Sequence, residues 1–557
     1  MADYYWVGGS GTWNNINVVN WSNTSGGAAP AYANPPSSAD NVFFDANSNS
    51  GTGAFTVTMA SVNAICNNFT VSGLDGTMTL AGTVGLDIYG NLSWPATLFT
   101  RSYTGTTTFR ATTTGKTISP NGKTFGANVI FDGVGGGWTL SNALTNSSTV
   151  TLTNGSLDLG GFTLSCFSFA SNNSNTRTLA FNGGSISITG TSTAGNQTLW
   201  NLPTLTGFSY TGTSTVNVPN ASTGASFTRT FNHGGTAGGS ETNAINLSIQ
   251  AGGASSVAIL GSYLNLNLTG CTSNVTNATR NIYGNLTAPD NTWTSGTSTT
   301  NFLSTSATLR TINIANTFDY PILFGGSGGS WQLQRALSGG NTNANITLLR
   351  GSFDSNNYNI SCATFDYNNT NTKTLILGTS TVTILSGTST TGFVGSNTNT
   401  TYNVINSTIE FSLGVTSRCF SGGSGGTDGN QFGTVTVAAS SGGSLYLGNG
   451  ATTARCTTLS NTAGLTFTLV NACTAAFTVT TFAMTGQSGS TVSIISNSLG
   501  TARNLKQASG TVVANFMNIR DSNAIGGASW NAYNSVNSGN NTGWKFLGGT
   551  GNFLTFF

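Results

Sequence analysis

The stretch Gly155-Ser-Leu-Asp-Leu-Gly-Gly-Phe-Thr-Leu-Ser-Cys-Phe-Ser-Phe-Ala-Ser-Asn-Asn-Ser-Asn-Thr-Arg-Thr-Leu179 returns, without a gap, as Gly351-Ser-Phe-Asp-Ser-Asn-Asn-Tyr-Asn-Ile-Ser-Cys-Ala-Thr-Phe-Asp-Tyr-Asn-Asn-Thr-Asn-Thr-Lys-Thr-Leu375. Asp158 falls on Asp354, Cys166 on Cys362, Phe169 on Phe365 and Arg177 on Lys373. Upstream, Ile88-Tyr-Gly-Asn-Leu92 recurs as Ile282-Tyr-Gly-Asn-Leu286, Phe109 as Phe302, and Val129-Ile-Phe131 as Ile322-Leu-Phe324. Each of the last two runs leads through glycines to a tryptophan, Trp138 or Trp331. The chain is internally duplicated, and a repeat is the strongest single clue to architecture. A fainter echo, Gly443-Ser-Leu-Tyr-Leu-Gly448 followed by Cys456, hints at a third copy.

Only 6% of the 557 residues are charged, while 10% are aromatic and 74 are glycine. Disordered chains favour the reverse, high charge and few aromatics. Alternating runs such as Ala54-Phe-Thr-Val-Thr-Met59, Ser185-Ile-Ser-Ile-Thr189 and Thr491-Val-Ser-Ile-Ile495 predict strands. Gly, Asn and Ser clusters between them supply turns, and no helical crossover separates them. The pattern predicts an all-β protein, a parallel β-helix or β-solenoid with a duplicated body and distinct end caps; the alternative is an array of β-sandwich domains. At roughly 20–25 residues per rung, the chain would hold about 25 rungs. Residues 1–50 read as an N-terminal cap, 51–240 and 241–430 as the two solenoid repeats, and 431–557 as closing rungs.

The net charge of +2 is not organised into a basic stripe, so nucleic acid is not an expected partner. No apolar run has membrane-spanning length, so no insertion is expected. No signal peptide is legible at Met1-Ala-Asp-Tyr-Tyr-Trp-Val7, which points to assembly in the cytosol or to a trimmed chain. Cys66, Cys166, Cys271, Cys362, Cys419, Cys456 and Cys473 are odd in number and form no Cys-x-x-Cys, so buried inner-face thiols are expected rather than a disulfide framework.

The search for chemistry yields no catalytic, cofactor or metal assignment. Glycoside cleavage needs two carboxylates across one bond. Asp354 and Asp366 form a candidate pair, yet the first copy has Asp158 with Ala170 at the second position, and many of the other carboxylates adjoin Gly, Asn or Ser, where Asp is a turn former. The single histidine, His233, lies before two glycines and is expected to be solvated in a loop. With one histidine and no acidic ladder, neither a zinc nor a calcium site is expected. The Gly-Lys-Thr runs at Gly115 and Gly122 lack the first glycine of a phosphate-binding loop.

Both ends are distinctive. The first reads Tyr5-Trp-Val-Gly-Gly-Ser-Gly-Thr-Trp13, then Asn20-Trp-Ser22 and Asp40-Asn-Val-Phe-Phe44. The last reads Trp530, then Gly539-Asn-Asn-Thr-Gly-Trp544. These segments resemble the terminal motifs of β-solenoid repeat proteins found in phage and prophage virion fibres and in bacterial surface passengers. The resemblance implies structural cap roles for Trp6, Trp13, Trp21, Trp530 and Trp544. It implies a non-enzymatic fibre, spike or appendage of a bacteriophage, contributing to host-surface attachment and located in a virion assembled in the host cytoplasm. Implied partners are other copies of the chain, in a trimer by class, other virion proteins, and host surface glycans. A tailspike-type polysaccharide depolymerase and a bacterial cell-surface adhesin are the alternatives. The apolar tail Phe553, Leu554, Phe556 and Phe557 reads as a final strand or a subunit contact.

Overall fold

The computed structural model describes residues 1–548 apart from 15, 192–193, 222–226, 236–238, 251, 254–255, 290, 316, 397, 423–430, 449 and 451–452. The protein is all-β, 1% helical, and its strands are arranged as a β-solenoid of about 20 turns. It divides into two compact units, Met1–Val275 and Thr276–Phe557.

Small polar residues alternate with apolar ones along each short strand, so one face turns inward at every rung. In the first unit this alternation stacks Ala64, Leu86, Thr107, Val129, Val150, Phe169, Trp200, Phe231 and Ile259 in one parallel register. A second column runs Trp138, Leu157, Leu179, Tyr210, and a third Leu144, Leu164, Ile186, Val216, Leu247. The second unit repeats the scheme. Ile346, Phe365, Phe393, Phe420 and Leu447 form one column, Trp331, Phe353, Leu375 and Tyr402 another. Leu337, Ile360, Val382, Ile409, Val435, Leu459 and Phe482 form the third. Parallel pairing throughout these columns excludes the sandwich alternative, whose sheets are antiparallel.

The turn count is lower than the expected twenty-five or so because the rungs are unequal. Trp138, Leu157 and Leu179 follow one another at about the expected spacing, but Arg177 pairs with Phe208 and Val216 with Leu247, a step of 31 residues in each case. The extra length goes into turns, which a solenoid tolerates because each rung touches only its neighbours.

The duplication is preserved in the packing. Phe109 stacks on Phe131 at 5.0 Å and 11°, with Trp138 against both. Phe302 stacks on Phe324 at 5.1 Å and 13°, with Trp331 against both. Such ring pairs add about 0.5–1.5 kcal/mol beyond area burial. The Ile-Tyr-Gly-Asn-Leu motif is a rung-to-rung clip: Asn91 Oδ1 accepts from the Thr117 amide at 2.7 Å, and Asn285 Oδ1 from that of Thr311 at 2.8 Å. All seven cysteines are buried thiols, Cys166 and Cys362 on the inner face as expected.

Candidate functional site

The duplicated segment builds the same outward groove twice. In the first unit a groove of about 330 Å³ is lined by Gly135, Gly136, Gly155, Ser156, Thr176 and Thr178, among others. In the second, one of about 420 Å³ is lined by Gly328, Gly329, Gly351, Ser352, Thr372 and Thr374, the corresponding residues one for one. Val134 rims the first groove and is 73% exposed; Ser327 takes its place in the second.

Glycine makes the floor possible. Gly155 and Gly351 have φ of +78° and +76°, in the left-handed region that L side chains disfavour. A Cβ on Gly155 would lie 2.5 Å from the carbonyl oxygens of Gly133 and Gly136. On Gly351 it would lie 2.6 Å from those of Gly326 and Gly329. At Gly136 and Gly329 a Cβ would strike the carbonyl of Ala111 or Ser304 and the indole rim of Trp138 or Trp331. The run of glycines before each tryptophan therefore lets backbone lie directly on a buried indole.

A buried cation backs each groove. Arg177 is fully buried, and its guanidinium donates to the carbonyls of Asn175 at 2.8 Å, Thr206 at 2.9 Å, Ser171 at 2.9 Å and Thr204 at 2.7 Å, and to Ser171 Oγ at 2.6 Å. Lys373, aligned with it, donates from Nζ to the carbonyls of Asn369 at 2.7 Å and Asn371 at 3.2 Å. Burial pushes both cations' pKa values down. Partial charges on converging carbonyls stand in for a carboxylate, holding the turn closed. Arg229, Arg280 and Arg418 are buried too, each donating to a backbone carbonyl: Asn220, Thr276 and Leu385 respectively. The sequence reading weighed carboxylates and missed these cations. The signal was available: in a chain this poor in charge, the duplication keeps a cation at 177 and 373.

The carboxylates of the candidate pair and their counterpart serve turns. Asp158 Oδ1 accepts from the Gly160 amide at 2.8 Å and Asp354 Oδ1 from that of Asn356 at 2.7 Å, the same Asx turn in both copies. Asp366 Oδ1 accepts from the Asn368 amide at 2.7 Å. The structure does not bring Asp354 and Asp366 into one ladder: Asp354 pairs with Gln332 and Ile376, Asp366 with Thr347 and Val394. Asp290 and Asp428 lie outside the described residues. Among the described residues, no three His, Cys, Asp or Glu side chains gather closely enough to hold a metal ion. Among them also, no helix is long and apolar enough to cross a membrane.

The expectation of a solvated His233 is corrected. It is fully buried at the end of strand Thr228–His233. Trp200 Nε1 donates to His233 Nδ1 at 3.3 Å, and His233 Nε2 lies 2.6 Å from the Asn243 carbonyl. An indole N–H can only donate, so Nδ1 is bare and the proton sits on Nε2, giving a neutral ring. Burial lowers its pKa to about 4. The ring is core, pointing inward with Arg229 and Phe231.

At the N-terminal end Trp6 faces Trp21 across an antiparallel strand pair, with ring centroids 4.9 Å apart, and Trp13 packs on Trp21 at 5.5 Å. At the other end Trp530 meets Trp544 at 4.9 Å, with Phe482 against both. All five tryptophans are buried. Phe553, Leu554, Phe556 and Phe557 lie outside the described residues. Phe162 and Tyr358, aligned by the duplication, are exposed in the turn that follows each groove strand.

No protein-family model matches the chain, and the searches of curated proteins and of solved structures return no match.

Proposed function

We propose that the chain is a non-enzymatic structural protein of a bacteriophage-like particle, a fibre, spike or appendage that contributes to attachment to the host surface. The observation that carries this reading is the repetition of the same dry columns and the same outward groove in both units. That is how a scaffold extends a surface. Parallel ladders over stacked apolar columns leave little backbone for a protease and give stiffness. The terminal motifs with buried tryptophans favour a virion setting, assembled in the host cytoplasm. Partners on this reading are further copies of the chain, neighbouring virion proteins and host surface glycans.

Quantitative mass spectrometry of purified particles and of cell envelopes from the source tests it. The chain at fixed stoichiometry in particles is the expected result. Its recovery only in envelopes would replace the reading with a cell-surface adhesin. Release of reducing ends from host polysaccharide by the purified chain would replace it with a depolymerase.

A further inference from the structure

We infer that the two grooves are equivalent binding sites for neutral saccharides, one in each unit; this rests on the attachment reading and names its ligand class. Six lining positions correspond one for one, Gly135, Gly136, Gly155, Ser156, Thr176 and Thr178 in the first unit. The volumes, about 330 and 420 Å³, fall at the small end of the roughly 300–1,000 Å³ of ligand sites and suit a short oligosaccharide.

The lining decides the chemistry. No charged side chain lines the first groove. Lys373 lines the second, but its ammonium is spent on the Asn369 and Asn371 carbonyls. Neither groove is lined by a carboxylate, and the Lys373 ammonium of the second already has backbone carbonyl partners, so hydroxyls and bare backbone make up most of both linings. Serine and threonine hydroxyls donate and accept alike, matching sugar hydroxyls, which do the same. The glycine floor is bare backbone, against which a pyranose ring can lie. Each copy also exposes one aromatic ring, Phe162 or Tyr358, in the turn that ends the same strand, a surface suited to sugar C–H groups.

The test is calorimetric titration of the whole chain with a panel of neutral tetrasaccharides of glucose, galactose and N-acetylhexosamine, and with sialylated and sulfated counterparts. A neutral member should bind at two sites per chain. Thr178→Trp or Thr374→Trp, each filling one groove, should leave one site, and the pair none. Thr178→Val and Thr374→Val keep strand shape and remove only the hydroxyl, and together should weaken binding at least several-fold. Thr56→Trp, on an exposed strand position elsewhere, should retain both sites. Binding that the paired variants leave intact, binding of charged members alone, or no binding by any member would overturn the assignment. The two readings fail separately. A chain missing from particles whose paired variants still lose saccharide sinks only the attachment role. A particle-borne chain whose paired variants still bind sinks only the grooves.

Discussion

The indole Nε1–H of Trp200 donates to Nδ1 of His233, one rung away, and so fixes the only histidine as a neutral core residue. Protonation would set an imidazolium N–H against an indole N–H in a dry interior. The folded-state pKa, about 4, is below the unfolded value near 6.5. The unfolded chain therefore takes up the proton first, and stability is lost as pH falls from about 6.5 towards 4, in total ~3 kcal/mol. Urea unfolding of wild type and His233→Phe at pH 7.5 and 4.5 checks this. The wild type should lose more on acidification than the variant. Equal losses would mean that His233 titrates alike in both states.

Arg177→Ala removes the donor shared by the carbonyls of Ser171, Asn175, Thr204 and Thr206, of which that of the buried Ser171 loses its partner away from solvent. A buried unsatisfied group costs about 1–3 kcal/mol, so the loss should be of that order and local. Arg177→Lys should recover part of it, since Lys373 does the same work with one ammonium. Hydrogen exchange followed by mass spectrometry should show faster exchange across 171–177 and 204–208. Unchanged protection there would contradict the role given to the guanidinium.

Gly351→Ala combines a left-handed backbone with a Cβ 2.6 Å from two carbonyl oxygens. The conformation alone costs about 1–2 kcal/mol. Gly115→Ala offers the comparison: it has φ of +82° but open space around it. Thermal melts should place Gly351→Ala clearly below Gly115→Ala. Similar melting temperatures would mean that the groove floor yields easily.

Native thiols should be silent. Burial raises the pKa of Cys66, Cys166, Cys362 and Cys456, and pushes that of Cys473 up to about 12. A thiol-reactive disulfide reagent at pH 8 should label none of the seven cysteines in the native chain and all seven in guanidinium. Rapid native labelling of any one would place it outside the core.

Much of the fold was legible because the duplication sampled each position twice. Cys166 with Cys362 and Phe169 with Phe365 could be placed inward by alternation alone, whereas Asp354, weighed with Asp366 as a carboxylate pair, is a turn former like its counterpart Asp158. His233 was misread because the glycines after it suggested a loop. The alternation of Arg229, Phe231 and His233 was the better guide, and all three are buried. The grooves were not legible, because Gly136, Gly155 and Thr178 come together only once rung register is known. Rung register depends on turn length, and unequal turns hide it in the sequence.

The central claim, a structural appendage protein built on a solenoid, is tested most directly by electron microscopy of purified particles labelled with an antibody to this chain. Label on a particle appendage, at a constant number of copies, is the expected result. Label confined to cell envelopes, or absent from intact particles, would contradict it.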